Sequence, residues 1–294
     1  VELVLSDAKI TYLKGNNMSI TDGVDTIAVY DYNIPAGYAV DGLLSGKVTA
    51  TLSEYKGNKQ LTVVDWSEAK MATDYIVNGT FDTAIEPWQT TTGAQNKALA
   101  SNQTGAFNVP FYENWNPSSF TGKMYQVIDS IPNGVYELSI CAFVSAFDAS
   151  AQYVYANSSK VALVAGAPTA YVVPVVVVDG TLEVGLEQTA PVNNWMGIDN
   201  VKLYYVRDVT SADFVAEYDK AIAKAKSLAD KAMDPAILQK LNEAIENYSA
   251  LDASSSVEEL VAALEALKIV GDAEASVAFY ASNKAAIDAM YTLM

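Results

Sequence analysis

The sequence predicts a multidomain protein: a small all-β barrel, then a β-sandwich, then an α-helical bundle. Three observations carry this. Residues 1–75 break into five short strand-like runs separated by turn signals. Residues 76–207 continue as strand-like runs with no amphipathic helix among them. From residue 208 alanine becomes dense, glycine survives only at Gly271, and apolar residues recur at helical spacing. A length of 294 residues suits two or three domains. A hydrophobic content of 51% with 18% charge supplies ample core and argues against disorder. The expected domains are 1–75, 76–207 and 208–294.

In the first region, Leu3 to Leu13 reads as one strand, and Gly15-Asn16 turns it into Met18-Ser19-Ile20. Asp22-Gly23 then leads into Thr26 to Tyr30. A run through Leu43, Leu44, Val48 and Leu52 follows, and Lys56-Gly57-Asn58 closes a hairpin into Leu61 and Val63. Five strands at this spacing suit a small barrel. The stretches Asp7-Ala8-Lys9-Ile10-Thr11-Tyr12, Ile20-Thr21-Asp22-Gly23 and Leu52 to Leu61 resemble the OB-like domains of secreted proteins of the Bacteroides type. Such folds often bind oligonucleotides or oligosaccharides on one face. This region holds 6 basic against 10 acidic residues, whereas a single-strand binder needs a positive groove. A spacer role is expected.

The second region opens with Asn78-Gly79-Thr80-Phe81-Asp82 and Trp88, followed by a polar stretch from Gln89 to Gly105 that reads as a loop. Strand-like segments follow: Met124 to Ile128, Val135 to Val144, Gln152 to Tyr155, Lys160 to Val164, Tyr171 to Val178, Thr181 to Leu186 and Gly197 to Val206. Many strands without helices suggest a β-sandwich. The opening block, the middle block Tyr125 to Ile128 with Ile131 to Tyr136, and the closing block Trp195 to Leu203 are similar to the galactose-binding-like jelly rolls that serve as carbohydrate-binding modules.

The third region carries its own punctuation. Thr210 or Ser211 caps a helix with Asp213 in its first turn, and Phe214, Tyr218, Ile222, Ala225 and Leu228 form its stripe. Asp234-Pro235 is an N-cap followed by proline at the first helical position. Ser256 with Glu259 makes a capping box. Gly271-Asp272 is expected to break the chain before a last helix with Val277, Phe279, Tyr280 and Ile287. The pattern resembles the three-helix repeats found between modules of bacterial surface and glycan-processing proteins.

Composition excludes much chemistry. The chain has no histidine, so it has no Ser-His-Asp triad, imidazole base or His-ligated zinc. The single cysteine, Cys141, excludes an intrachain disulfide and a Cys-ligated cluster, and reads as a buried small hydrophobe. A net charge of −17 opposes nucleic-acid binding. It is spread as 6 basic against 10 acidic, 5 against 10 and 7 against 15 over the three regions, so it reads as surface chemistry. No apolar run approaches the roughly 20 residues of a membrane-spanning helix. The chain opens at Val1 without an initiator Met, which reads as a processed or trimmed piece, so a missing signal peptide says nothing about export.

Carboxylate catalysis would need two Asp/Glu at a set spacing. Glu86, Glu113, Asp148 and Glu187 are candidates, but no segment shows the alternating strands and helices of a catalytic barrel, and no enzyme activity is expected. Sugar rings stack their C–H faces on flat aromatics while their hydroxyls seek amides and carboxylates. Trp88, Tyr112, Trp115, Tyr153 and Tyr155 are the candidate ligand-binding residues, with Asn96, Asn116 and Asn194 among polar partners. Tyr112, Tyr153 and Tyr155 are expected to be exposed, and Trp195 structural. The resemblance implies a structural calcium held by Asp82 and Asp199, with Asp82 standing where the family often has glutamate. The expected function is a secreted, non-catalytic, cell-surface carbohydrate-binding protein. A structural or adhesive surface protein and an accessory fragment of a larger glycoside hydrolase are the alternatives.

Overall fold

The structure, a computed structural model, describes residues 1–35, 37–93, 96–103 and 105–292, with backbone alone for Val64, Asn96, Ala285 and residues 288–292. The chain divides into two compact units, Val1–Asp208 and Val209–Met294.

The first unit begins with five strands: β1 (Glu2–Lys14), β2 (Asn17–Thr21), β3 (Thr26–Tyr30), β4 (Leu43–Tyr55) and β5 (Asn58–Ala72). They close on themselves in the order β1-β2-β3-β5-β4-β1. The β3–β5 pair is parallel and the others are antiparallel. Closure leaves no unpaired edge. Alternation sends Ile10, Met18, Ile20, Val29, Leu44, Val48, Leu61 and Val63 inward, all buried. Trp66 packs edge-on against Tyr38 at 5.5 Å and donates its indole N–H to the buried Asp31 at 2.6 Å. The boundary expected at 75/76 falls inside this unit. The end of β5 pairs with the last strand through Ala72 and Met71, and the Thr73 amide donates to the Leu203 carbonyl at 2.9 Å.

Eight further strands follow: β6 (Gln89–Thr90), β7 (Asn96–Ala100), β8 (Phe111–Asp129), β9 (Gly134–Val144), β10 (Gln152–Ala156), β11 (Ser159–Ala162), β12 (Thr169–Val177) and β13 (Thr181–Arg207). β8 and β13 are long enough to run through two layers. Residues 181–188 of β13 pair with residues 122–129 of β8, and a first layer forms in the order β6-β8-β13-β10-β11. After a register break between Gln188 and Asn193, β13 pairs with residues 112–115 of β8 and with β9. The second layer then runs β7-β8-β13-β9-β12. Leu182, Val184, Leu186 and Val154 of the first layer, with Leu138, Ile140, Val173 and Val175 of the second, form the buried filling. Each such side chain contributes about 1.5–3 kcal/mol.

Two expectations change here. The polar stretch Gln89–Gly105 contains β6 and β7, with residues 94, 95 and 104 outside the described set. The segment around Trp115, rich in Asn, Pro and Ser and absent from the strand-like runs of the sequence, is strand, because both flanks of β8 find hydrogen-bonding neighbours.

The second unit holds α1 (Ser211–Leu228), α2 (Pro235–Tyr248), α3 (Val257–Ala266) and α4 (Ile269–Thr292). The caps lie where the sequence places them. The Asp234 carboxylate accepts from the Ala236 amide at 2.8 Å, and Ser256 and Glu259 bond each other's backbone at 3.2 and 2.8 Å. Gly271 is not the break: α3 ends at Ala266 with Leu267 as its C-cap, and Gly271 sits in the first turn of α4, where glycine costs little. Asp234→Ala is expected to lower the stability of this unit by about 1 kcal/mol, read as an earlier loss of the helical circular-dichroism signal in urea. An unchanged midpoint would deny the cap its role.

Candidate functional site

Strand alternation decides which aromatic side chains are available. Trp88 and Tyr112, expected to bind ligand, face the space between the two layers and are buried. Phe81 links them, with ring centroids 5.4 Å from Trp88 and 5.6 Å from Tyr112. The Trp88 indole N–H donates to the Val77 carbonyl at 3.0 Å. Both are core residues. In β8, period-two alternation turns Tyr112 and Asn114 inward and Glu113 and Trp115 outward.

The outer face of the first layer gathers the others. One cross-strand row runs Gln89, Tyr125, Gly185, Tyr155, Lys160, and the next carries Lys123, Glu187 and Tyr153. Gly185 is required by a close approach: a Cβ there would lie 2.0 Å from the Met124 carbonyl oxygen. It leaves a low floor between two tyrosine rings. Lys123 reaches over this floor, with its ammonium 4.7 Å from the Tyr125 ring centroid and 5.9 Å from that of Tyr155. Lys123 pairs with Glu183, Lys160 with Glu187, and the Lys160 ammonium lies 5.8 Å from the Tyr153 ring. The phenol of Tyr125 donates to Gln89 at 3.0 Å, that of Tyr153 to the Ser150 carbonyl at 2.6 Å, and that of Tyr155 to Glu183 at 2.8 Å.

Tyr153 and Tyr125 are half-buried. Tyr155 corrects the expectation of exposure: it points to this face yet is buried beneath its neighbours. Burial, followed by the nearby Glu183 carboxylate, holds its phenol well above the ordinary value, so it stays protonated and donating. Sequence reasoning missed Tyr125, Lys123 and Glu183. Their strands were recognised, and the period-two pattern Lys123-x-Tyr125 against Glu183-x-Gly185-x-Glu187 was the signal that would have found them. Five strands at about 4.8 Å spacing make a face about 19 Å across. It offers ring surfaces, two ammonium groups and two carboxylates.

Trp115 lies on the other outer face, so the five candidates do not meet. Of the named polar partners, the Asn96 side chain is outside the described residues.

Asp199 is fully buried on β13. Its Oδ2 accepts from the Asn108 amide at 2.7 Å, while its Oδ1 has no hydrogen-bond partner. Burial pushes its pKa up to about 6 against the lowering pull of the Asn200 and Asn108 amides, and the charge of Asp82 adds to the rise. Asp82 is exposed and accepts from the Thr80 hydroxyl at 2.7 Å. An orphaned, buried carboxylate oxygen that feels the charge of a second carboxylate is the kind of donor a hard cation takes. Among the described residues no group of three or more Asp, Glu or Cys converges on one point. The first segment is also tied to the last strand directly, the Val201 amide donating to the Gly79 carbonyl at 2.8 Å.

A carboxyl with a raised folded-state pKa contributes stability that is fully present below its unfolded pKa and lost as pH rises through the folded one. In chelator, stability is therefore expected to fall between about pH 4 and pH 6 and then level off. Asp199→Asn should flatten that slope in urea titrations across this range. An unaltered slope would show that another group sets it.

No family model matches the chain, and no curated protein matches it. Solved structures do. The TmCBM61 module in complex with β-1,4-galactotriose is 17% identical over 45% of this chain and 99% of its own, with a TM-score of 0.33. The C-terminal family 22 carbohydrate-binding module of Clostridium thermocellum Xyn10B is 15% identical over 46% of this chain and 96% of its own, at 0.31. An apo-form cyclase from Fischerella sp. is 11% identical over 48% and 98%, at 0.30. Likenesses this distant bear on neither ligand nor activity.

Proposed function

We propose that the sandwich is a non-catalytic carbohydrate-binding module that holds a saccharide across the outer face of β6-β8-β13-β10-β11. The observation that carries this is the pair of half-buried rings, Tyr125 and Tyr153, on the face around the Gly185 floor, with the buried Tyr155 bracing Glu183 beneath them. Ring faces suit sugar C–H surfaces, and the paired Lys123–Glu183 and Lys160–Glu187 groups supply donors and acceptors for hydroxyls. Their existing bonds hold these groups in place before a ligand arrives, which reduces the ordering cost of binding.

Absence of catalysis is part of the proposal. Glu183 and Glu187 are four residues apart on one strand, about 13 Å along the backbone, and each is held by a different lysine. Glycosidases place their carboxylates within about 9.5 Å. The barrel is read as OB-like, supported by its closed β1-β2-β3-β5-β4-β1 order, and as a spacer, as is the helical unit. A structural calcium would be held by the Asp199 Oδ1 and by Asp82, with backbone carbonyls completing its shell. Its contribution would be to neutralise the buried Asp199 carboxylate, so calcium at pH 7 should raise the unfolding temperature of the parent chain and leave Asp199→Asn unmoved. The chain is read as acting outside the cell. A glycan array with affinity electrophoresis tests the function: retention on at least one polysaccharide is expected, and retention on none overturns the reading.

A further inference from the structure

The second layer's outer face carries two indoles that the site above does not use. Trp115 on β8 and Trp195 on β13 are direct cross-strand partners and so lie side by side on one face. Trp115 is 38% exposed, in a chain whose other described tryptophans are buried or half-buried. Trp195 is held from several sides. Its indole N–H donates to the nearly buried Glu113 carboxylate at 2.8 Å, and its ring meets Phe143 edge-on at 4.8 Å. Its backbone is clamped by Asn193, whose side chain accepts from the Trp195 amide at 3.2 Å and donates to its carbonyl at 2.7 Å. Behind it Phe107, Phe111, Cys141 and Phe143 form a small separate core.

We propose that Trp115 and Trp195 form a second saccharide platform on the face opposite the first. This rests on the carbohydrate reading for its ligand class and on separate residues for its existence. The apolar surface is two ring faces, far short of the roughly 800 Å² per partner of a stable protein interface. Its rim is polar: the Ser145 hydroxyl bonds Asn193 at 2.5 Å and Asn194 at 3.3 Å. An aromatic floor with amide and hydroxyl rims suits a ligand that is apolar on its ring face and hydroxylated at its edge. The layers of a sandwich are about 10 Å apart, so back-to-back platforms take two chains, or two distant stretches of one chain. The module would then cross-link polysaccharide.

Indole N–H resonances of the 15N-labelled full chain read this directly, with β-1,4-galactotriose and xylohexaose each as probe. Trp66 and Trp88, bonded to Asp31 and to the Val77 carbonyl, are silent internal references. The Trp115 and Trp195 signals are expected to shift with at least one probe, also in Tyr125→Ala/Tyr153→Ala, and Trp115→Ala should weaken that response at least tenfold. If a probe shifts the backbone amides of Tyr125 and Tyr153 in the same spectra and leaves both indoles unmoved, the second platform is wrong and the first stands. If neither probe perturbs either face, the second platform falls as well, and the array then decides the ligand class alone.

Discussion

Gly185→Ala is expected to destabilise the β-unit by about 3 kcal/mol or more, at the upper end of what forced overpacking costs. The added methyl would sit 2.0 Å from the Met124 carbonyl oxygen and 3.0 Å from the Tyr125 Cα. Both are backbone atoms of the neighbouring strand, so no rotamer change relieves the clash. β8 and β13 are paired on both sides of the position, from Thr181 to Gln188, so neither can move without breaking that ladder. The same change at Gly271 serves as the control. There a methyl meets nothing within 4 Å, and in the first turn of α4 alanine should leave the midpoint unchanged or slightly raised. Urea unfolding followed by tryptophan fluorescence for the β-unit and by helical circular dichroism for the other separates the two. An unchanged β-unit midpoint for Gly185→Ala would mean that β13 does not lie against β8 as described.

The second large effect is on binding. Tyr125→Ala and Tyr153→Ala each remove a half-buried ring from the first layer's outer face, and each is expected to cost about 2 kcal/mol of saccharide affinity, roughly thirtyfold. Tyr155→Phe is a sharper probe of the polar part. It keeps the buried ring and removes the phenol that donates to Glu183. Its expected cost is smaller, about 1 kcal/mol, because Glu183 retains Lys123. If all three variants bound as the parent does, the tyrosine face would have no part in recognition.

Much of the local structure was legible because local rules decide it. Asp234-Pro235 and Ser256 with Glu259 specify helix starts within four residues, and both caps form. The five barrel strands were readable from alternation and the turns at Gly15, Gly23 and Gly57. What was not legible depends on partners far along the chain. Tyr112 and Trp115 are three residues apart in a stretch that looks like a loop. Only pairing with β7 and β13 makes it a strand, and only the register decides that one is core and the other surface. Tyr155 looked available because its sequence neighbours are polar, but Lys123 and Glu183, distant in sequence, lie against it. Asp199 was singled out by resemblance, and its unpartnered oxygen is visible only in three dimensions.

The central claim is that a saccharide lies on the Tyr125–Gly185–Tyr155 face. Calorimetric titration of the glycan that an array retains, into the parent chain and into Tyr125→Ala/Tyr153→Ala, tests it most directly. The expected result is saturable binding by the parent and a loss of at least a hundredfold in the double variant, with its unfolding midpoint close to the parent's. Equal affinity in the two proteins would contradict the placement of the site on this face.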